Sequence, residues 1–174
     1  FQQIVQEGVY VNPAVQGCLA AYALTLNEAP LTVVRDGKAI EHPLTKLFSR
    51  PNPDMSGAQL FSFIASYVGI GGNAYLVKVR NGSRVPVQVY PYHDGQIQPV
   101  ASSKEWISYY KYQVDGVTIK LPREDVVHFR SHLIDPLAPQ RAMSPILAAA
   151  RGTDTYNELA KVIYSVLRDG AKVE

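Results

Sequence analysis

Apolar residues recur every three or four positions in three stretches of the chain, and alternate with polar ones in between, which predicts helices flanking a region of strands. The first helix opens at Asn12-Pro13, a cap followed by proline at the first helical position, and runs through Val15, Leu19, Tyr22 and Leu26. Pro30 marks its exit. Residues 31–34 and Ile40 flank Asp36-Gly37, a favoured two-residue turn that pairs Ile40 with Val33. A brief helix through Leu44, Leu47 and Phe48 is ended by Pro51-Asn52-Pro53. Ser56-Gly57-Ala58-Gln59 has the form of a capping box, and the helix it starts aligns Leu60, Phe61, Ile64 and Val68. Gly71-Gly72 provides its stop.

From residue 74 to 121 the period falls to two. Tyr75, Val77 and Val79 alternate with Lys78 and Arg80 before Asn81-Gly82-Ser83 turns the chain. A three-residue loop there would set Val79 against Val85 and Val77 against Val87, with Pro86 opposite Lys78 on an edge strand. Asp115-Gly116 as a two-residue turn pairs Val114 with Val117, Tyr112 with Ile119 and Tyr110 with Leu121. The other face then pairs Gln113 with Thr118 and Lys111 with Lys120, the last mildly unfavourable. Residues 125–130 form one more strand, and 131–143 a proline-containing loop. Ser144-Pro145 opens the last helix, whose stripe runs Ile146, Ala150, Thr153, Tyr156, Leu159 or Ala160, Ile163 and Leu167. Continued over 144–170, it would be on the order of 40 Å long. The fold class is therefore α+β: helices packed on antiparallel hairpins, followed by one long C-terminal helix with no partner left in the sequence.

Composition narrows the function. In 174 residues, 47% apolar, there is material for one domain with a real core. No apolar run reaches the roughly 20 residues that span a bilayer. The start, Phe1-Gln2-Gln3-Ile4-Val5-Gln6-Glu7, lacks the order of a signal peptide and an initiator Met, so the chain is expected to begin inside a longer sequence. Cys18, the single cysteine, excludes an internal disulfide and is expected to be a small buried hydrophobe. The net charge of +2 is dispersed: residues 1–72 carry 4 basic and 5 acidic side chains, 73–143 carry 9 and 6, and 144–174 carry 4 and 4. A sequence-reading DNA binder concentrates its basic residues on one face, and nothing here does so.

Candidate chemistry is sparse. His128 and His132 have a spacing that suits metal ligands on a helix, but on a strand residues four apart lie about 13 Å apart. A hydrolase-like reading would need His128, His132 and Asp135 to converge. There is no nucleophile elbow, Walker loop or Cys/His cluster, and Gly69-Ile70-Gly71-Gly72-Asn73 ends a helix where phosphate binding needs a start. No catalytic, cofactor-binding or metal residue is therefore assigned. The tyrosines Tyr90, Tyr92, Tyr109, Tyr110 and Tyr112 read as sheet packing, with a protein partner for any that are exposed.

The order of motifs is itself informative. Pro51-Asn52-Pro53, an amphipathic helix, Gly72-Asn73-Ala74-Tyr75 and a basic hairpin come first. Val87-Gln88-Val89-Tyr90-Pro91, a Tyr-rich hairpin, Asp125-Val126-Val127-His128-Phe129-Arg130 and Ser144-Pro145-Ile146 follow. This series resembles the portal proteins of long-tailed, siphovirus-like bacteriophages and prophages, over residues 11–170. Arg141-Ala142-Met143 stands where that family often has a glycine before the Ser-Pro. The resemblance implies a non-enzymatic subunit of a ring, typically of twelve copies, at one capsid vertex. Double-stranded DNA passes through it without sequence reading. Its partners would be the terminase large subunit, the capsid and the head–tail connector, in the virion and, during assembly, the host cytoplasm. Residues 1–143 would be the wing and 144–174 the start of the stem helix. Arg168-Asp169-Gly170-Ala171 falls where the family's chain turns into the clip. The clip, second stem helix, channel loop and crown would lie outside this chain. A generic phage adaptor module is the alternative of the same structural class.

Overall fold

The computed structural model describes residues 1–28 and 31–168, so the exit at Pro30 and the end of the last helix near Gly170 lie outside the described residues. A short turn, α1 (Gln2–Ile4), runs into a π-helical stretch (Val5–Val9) that the sequence pattern did not announce. Helix α2 (Pro13–Glu28) follows, with Asn12 Oδ1 accepting from the N–H groups of Ala14 and Val15 at 3.0 and 3.1 Å. Its half-buried positions are Val15, Leu19, Ala23 and Leu26, whereas Tyr22 and Cys18 are exposed. Cys18 thus departs from the buried position expected of it, because α2 lies on the outside of the body with only its Leu19 side facing inward.

The hairpin β1 (Val33–Arg35) and β2 (Lys38–Ile40) pairs Val33 with Ile40, and Asp36 and Gly37 both take positive φ, as a mirror-image turn requires. Helix α3 (Pro43–Ser49) is capped by the His42 ring, whose Nδ1 accepts from Leu44 N–H. Helix α4 (Gly57–Gly71) carries the full capping box: Ser56 Oγ accepts from Gln59 N–H and Gln59 Oε1 accepts from Ser56 N–H. Gly72 ends it in the left-handed region, φ +83°. A Cβ there would lie 2.4 Å from the Met143 carbonyl oxygen, so the position is closed to side chains twice over.

Two three-stranded antiparallel sheets follow. One has the order β4 (Pro86–His93), β3 (Asn73–Arg80), β8 (Val126–Arg130); the other has β5 (Ile97–Val100), β6 (Tyr109–Val114), β7 (Val117–Pro122). The central strand β3 is buried on both faces, which divides the core in two. Ala74 and Leu76 meet Leu60 and Ile64 of α4 together with Val89. Tyr75 points the other way, onto Ile97 and Tyr110 of the second sheet, Ile107 of the loop before β6, and Val126 of β8. The layers therefore run α2, α4, sheet, sheet.

The β6–β7 hairpin has the expected register at all five pairs, down to Lys111 opposite Lys120. The β3–β4 register differs. Val79 pairs with Gln88 and Val77 with Tyr90, while Pro86 falls opposite Arg80 after a bulge. The loop is longer than three residues because Asn81 Oδ1 accepts from both Ser83 and Val85 N–H, and Arg84 takes a left-handed φ of 60°. Pro86 does sit on an edge strand. Asp125 belongs to a 3-10 turn (Arg123–Asp125) and not to the strand after it. The last helix is not continuous: α5 (Pro145–Ala148) and α6 (Ala150–Arg168) are separated at Ala149, with φ −95° and ψ 7°.

Candidate functional site

The three residues of the hydrolase-like reading do not form a unit. His128 lies on β8 with its ring stacked on Tyr75, centroids 4.4 Å apart, and edge-on to Tyr110. Its Nε2 donates to Asn73 Oδ1 at 3.0 Å. His132 is exposed in the loop after the strand. Asp135 uses its Oδ1 to accept from Leu137 N–H, shaping its own turn. Among the described residues, no hydrogen bond joins any two of the three, and no group of three or more His, Cys, Asp or Glu converges as a metal would need.

What surrounds His128 is a buried polar network that the linear pattern did not reveal. Asn73 Nδ2 donates to Asp94 Oδ2 and to the Ala142 carbonyl, both at 2.7 Å, while its Oδ1 accepts from Ala142 N–H at 2.9 Å. Tyr75 Oη donates to Asp94 Oδ1 at 2.8 Å, and Arg141 Nη2 lies 3.2 Å from Asp94 Oδ2. Burial raises the Asp94 carboxyl above its ordinary range, against the opposing pull of Arg141 and its hydrogen-bond donors. Burial also lowers His128 to about 3, with Arg130 and Arg141 adding to the effect. His128 is thus a neutral donor at pH 7, and the cluster does structural work. It ties loop 131–143 to the start of β3 through Arg141 and Ala142.

That tie positions the root of the last helix. Ser144, two residues on, donates its hydroxyl to the Ile70 carbonyl and accepts from Leu147 N–H at 3.2 Å, capping α5 against the end of α4. Ile146 then sits against Gly8 of the N-terminal stretch, where an added Cβ would be 3.0 Å from its Cγ2. It also lines an apolar groove of about 430 Å³ with Val15, Cys18, Leu19, Tyr22 and Pro145. From this root α6 extends for 19 residues, about 28 Å at 1.5 Å per residue.

The surface of α6 is divided sharply. At 100° per residue, Val162, Val166, Leu159, Ile163, Tyr156, Leu167 and Tyr164 cover an arc of about 200°. All seven are exposed, Leu167 at 77%. The opposite side carries Asp154, Glu158, Lys161, Ser165 and Arg168, with Lys161 Nζ 2.7 Å from Glu158 Oε1. The expected stripe is therefore present and uncovered along its outer length, although Ile146 and Thr153 at its base are half-buried. An apolar arc this wide exceeds the contact a single helix makes in coiled-coil packing. The arc is solvent-exposed among the described residues, and no described helix is long and apolar enough to cross a membrane.

Comparison with known proteins agrees with this geometry. The model of the family described as phage portal protein matches residues 13–174. The chain belongs to the phage portal protein family. An uncharacterized protein of Rickettsia bellii is 26% identical over 173 residues, which cover 92% of this chain and 43% of that protein. Among solved structures, a chain from the neck of an empty gene transfer agent particle, computed with C6 symmetry, superposes with a TM-score of 0.85. The match is 22% identical and covers 94% of this chain and 45% of that one. A portal protein of the HK97 family from Corynebacterium diphtheriae gives a TM-score of 0.57 at 13% identity, over 98% of this chain and 50% of that one. These superpositions carry the portal-like fold. The chain spans less than half the length of the curated relative it matches. The portal family's α+β body and long helix are thus both present. The Asn73 network and the Ala149 break are details that sequence reading missed.

Proposed function

We propose that this chain is the wing and the beginning of the stem of a portal subunit. Residues 1–143 would form the wing and 144–174 the stem helix, in a non-enzymatic ring at the capsid vertex through which double-stranded DNA is packaged and ejected. The observation that carries the reading is α6: within a chain of the portal family, a helix leaves the body with the seven apolar side chains of an arc about 200° wide exposed among the described residues. A ring supplies what such a helix lacks, because each copy places neighbours on both sides of it. The generic adaptor reading expects the last helix to lie on the body, and α6 does the opposite beyond Asn157. The hydrolase-like reading needs His128, His132 and Asp135 together, and they are apart.

Passage of DNA also fits the charge. Residues 144–174 balance 4 basic against 4 acidic side chains. A channel helix of this kind attracts the phosphate backbone only weakly, which suits a duplex that has to slide. Terminase, capsid and head–tail connector are the partners this role calls for. Negative-stain microscopy of the natural protein carrying these residues tests the reading. Rings with a central opening, about twelvefold, are the expected result; a monodisperse monomer at high concentration would overturn it.

A further inference from the structure

The root of α6 joins a fixed turn to a free helix through one residue. On the fixed side, Ser144 binds α5 to the end of α4, and Gly72 packs against Met143. At Ala149 the helix is interrupted, and its N–H is shared between the carbonyls of Pro145 and Ile146, both at 3.1 Å. The ladder restarts with Thr153 N–H donating to the Ala149 carbonyl at 3.1 Å. Along α6 the half-buried side chains are Thr153 and Asn157, and every one from 158 to 168 is exposed. Among the described residues, Asn157 is the last half-buried position along the helix.

The contact there is specific. Asn157 Oδ1 accepts from Asn12 Nδ2 at 3.0 Å, across 145 residues of sequence. Asn12 is only 2% exposed. Its Oδ1 is already committed to the N–H groups of Ala14 and Val15 as the cap of α2. The cap therefore fixes which way the amide is turned, and the remaining NH₂ is aimed at α6.

We propose that Asn12 is a latch that sets the angle at which α6 projects, with Ala149 as the pivot. The lever makes this matter. Asn157 lies about 12 Å along the helix from the pivot and Leu167 about 27 Å. A swing of about 10° would move Leu167 by roughly 5 Å, close to one helical pitch. That displacement changes which apolar side chains of α6 meet their neighbours. The latch itself stands on the geometry of one chain, whereas its consequence for assembly rests on the portal reading.

Distances between two spin labels on the full chain test it. One label goes on the exposed Cys18 of α2, the other on α6 as Ser165→Cys. A narrow distribution is expected for this parent and for Asn157→Asp, which still offers an acceptor to Asn12. The distribution should widen at least twofold in Asn12→Ser, which keeps the cap but is too short to reach Asn157. It should widen likewise in Asn12→Asp/Asn157→Asp, where two carboxylates face each other. Asn157→Ala leaves the cap of α2 untouched and guards against unfolding of the Asn12 variants, and it too should widen the distribution. Equal widths in the parent and in Asn157→Ala overturn the latch. A natural protein that forms no ring overturns the portal reading while leaving this measurement intact, so the two failures are distinguishable.

Discussion

Asn73 satisfies more buried groups than any simple strand residue could, since its amide serves Asp94, both backbone groups of Ala142 and the His128 ring. Truncating it strands a buried carboxylate partner and a buried N–H at once, and unsatisfied groups of this kind cost about 1–3 kcal/mol each. Asn73→Ala is accordingly expected to lose about 3 kcal/mol or more of stability in urea titration, far above a typical surface substitution. His128 adds a pH dependence with a definite sign. Its folded pKa is about 3, below the ordinary 6.5, so between those values the unfolded chain binds the extra proton. Stability at pH 7 carries no penalty from it, and falls as pH drops below about 6.5, by up to about 1.4 kcal/mol per unit. Asp94, whose carboxyl is raised by burial, contributes in the opposite sense. Comparing urea midpoints of the parent and His128→Phe at pH 4 and 6 isolates the histidine: the parent should lose more. None of this network was legible in the sequence, because it joins residues up to 69 apart that share no period. Asn12 and Ser144 were legible as caps, since a cap acts on residues two or three positions away. Their second bonds, to Asn157 and Ile70, were not.

Between elements, the contrast of the two hairpins shows what local chemistry can encode. Asp115-Gly116 admits one compact turn, with φ of 47° and 77°, and the alternation on both sides then fixes every pair. Asn81-Gly82-Ser83 admits several. The side chain of Asn81 holds two amides beyond itself, Arg84 turns left-handed, and the register moves to Gln88. The deciding factor is a side-chain-to-backbone competition that alternation cannot reveal. The end of α4 was plain by contrast, because Gly71-Gly72 admits a left-handed stop. What the sequence left out was the reason Gly72 is needed twice: Met143, 71 positions on, packs against it. Gly72→Ala should therefore cost more than the roughly 1 kcal/mol of a left-handed alanine, about 2–4 kcal/mol. It should also loosen the Ser144 cap, so that hydrogen exchange at Leu147 accelerates together with that at the end of α4. Faster exchange confined to α4 would mean that the two are not coupled.

At the scale of the molecule, the body and α6 answer to different constraints. The body buries β3 on both faces, with Leu60, Tyr75 and Ala74 each at 0% exposure. It has the layered core of a unit that holds itself together. Helix α6 takes almost nothing from that core, since its apolar residues from Tyr156 to Leu167 are exposed in the chain by itself. Folding and assembly should therefore be separable by substitution. Ile163→Glu places a charge in the middle of the apolar arc without touching the body. It is expected to shift the stability of the 174-residue chain by no more than about 0.5 kcal/mol, the range of an exposed site. If copies of the helix meet one another in a ring, the same charge must be buried against an apolar neighbour at every subunit contact, at a cost of several kcal/mol each. The natural protein carrying Ile163→Glu should then give monomers or small species by mass photometry at concentrations where the parent forms rings. Leu60→Ala provides the opposite case, losing about 3 kcal/mol or more of body stability while leaving the helix surface unaltered. Rings that persist undiminished in Ile163→Glu would show that the arc faces no neighbour, and would remove α6 from the assembly.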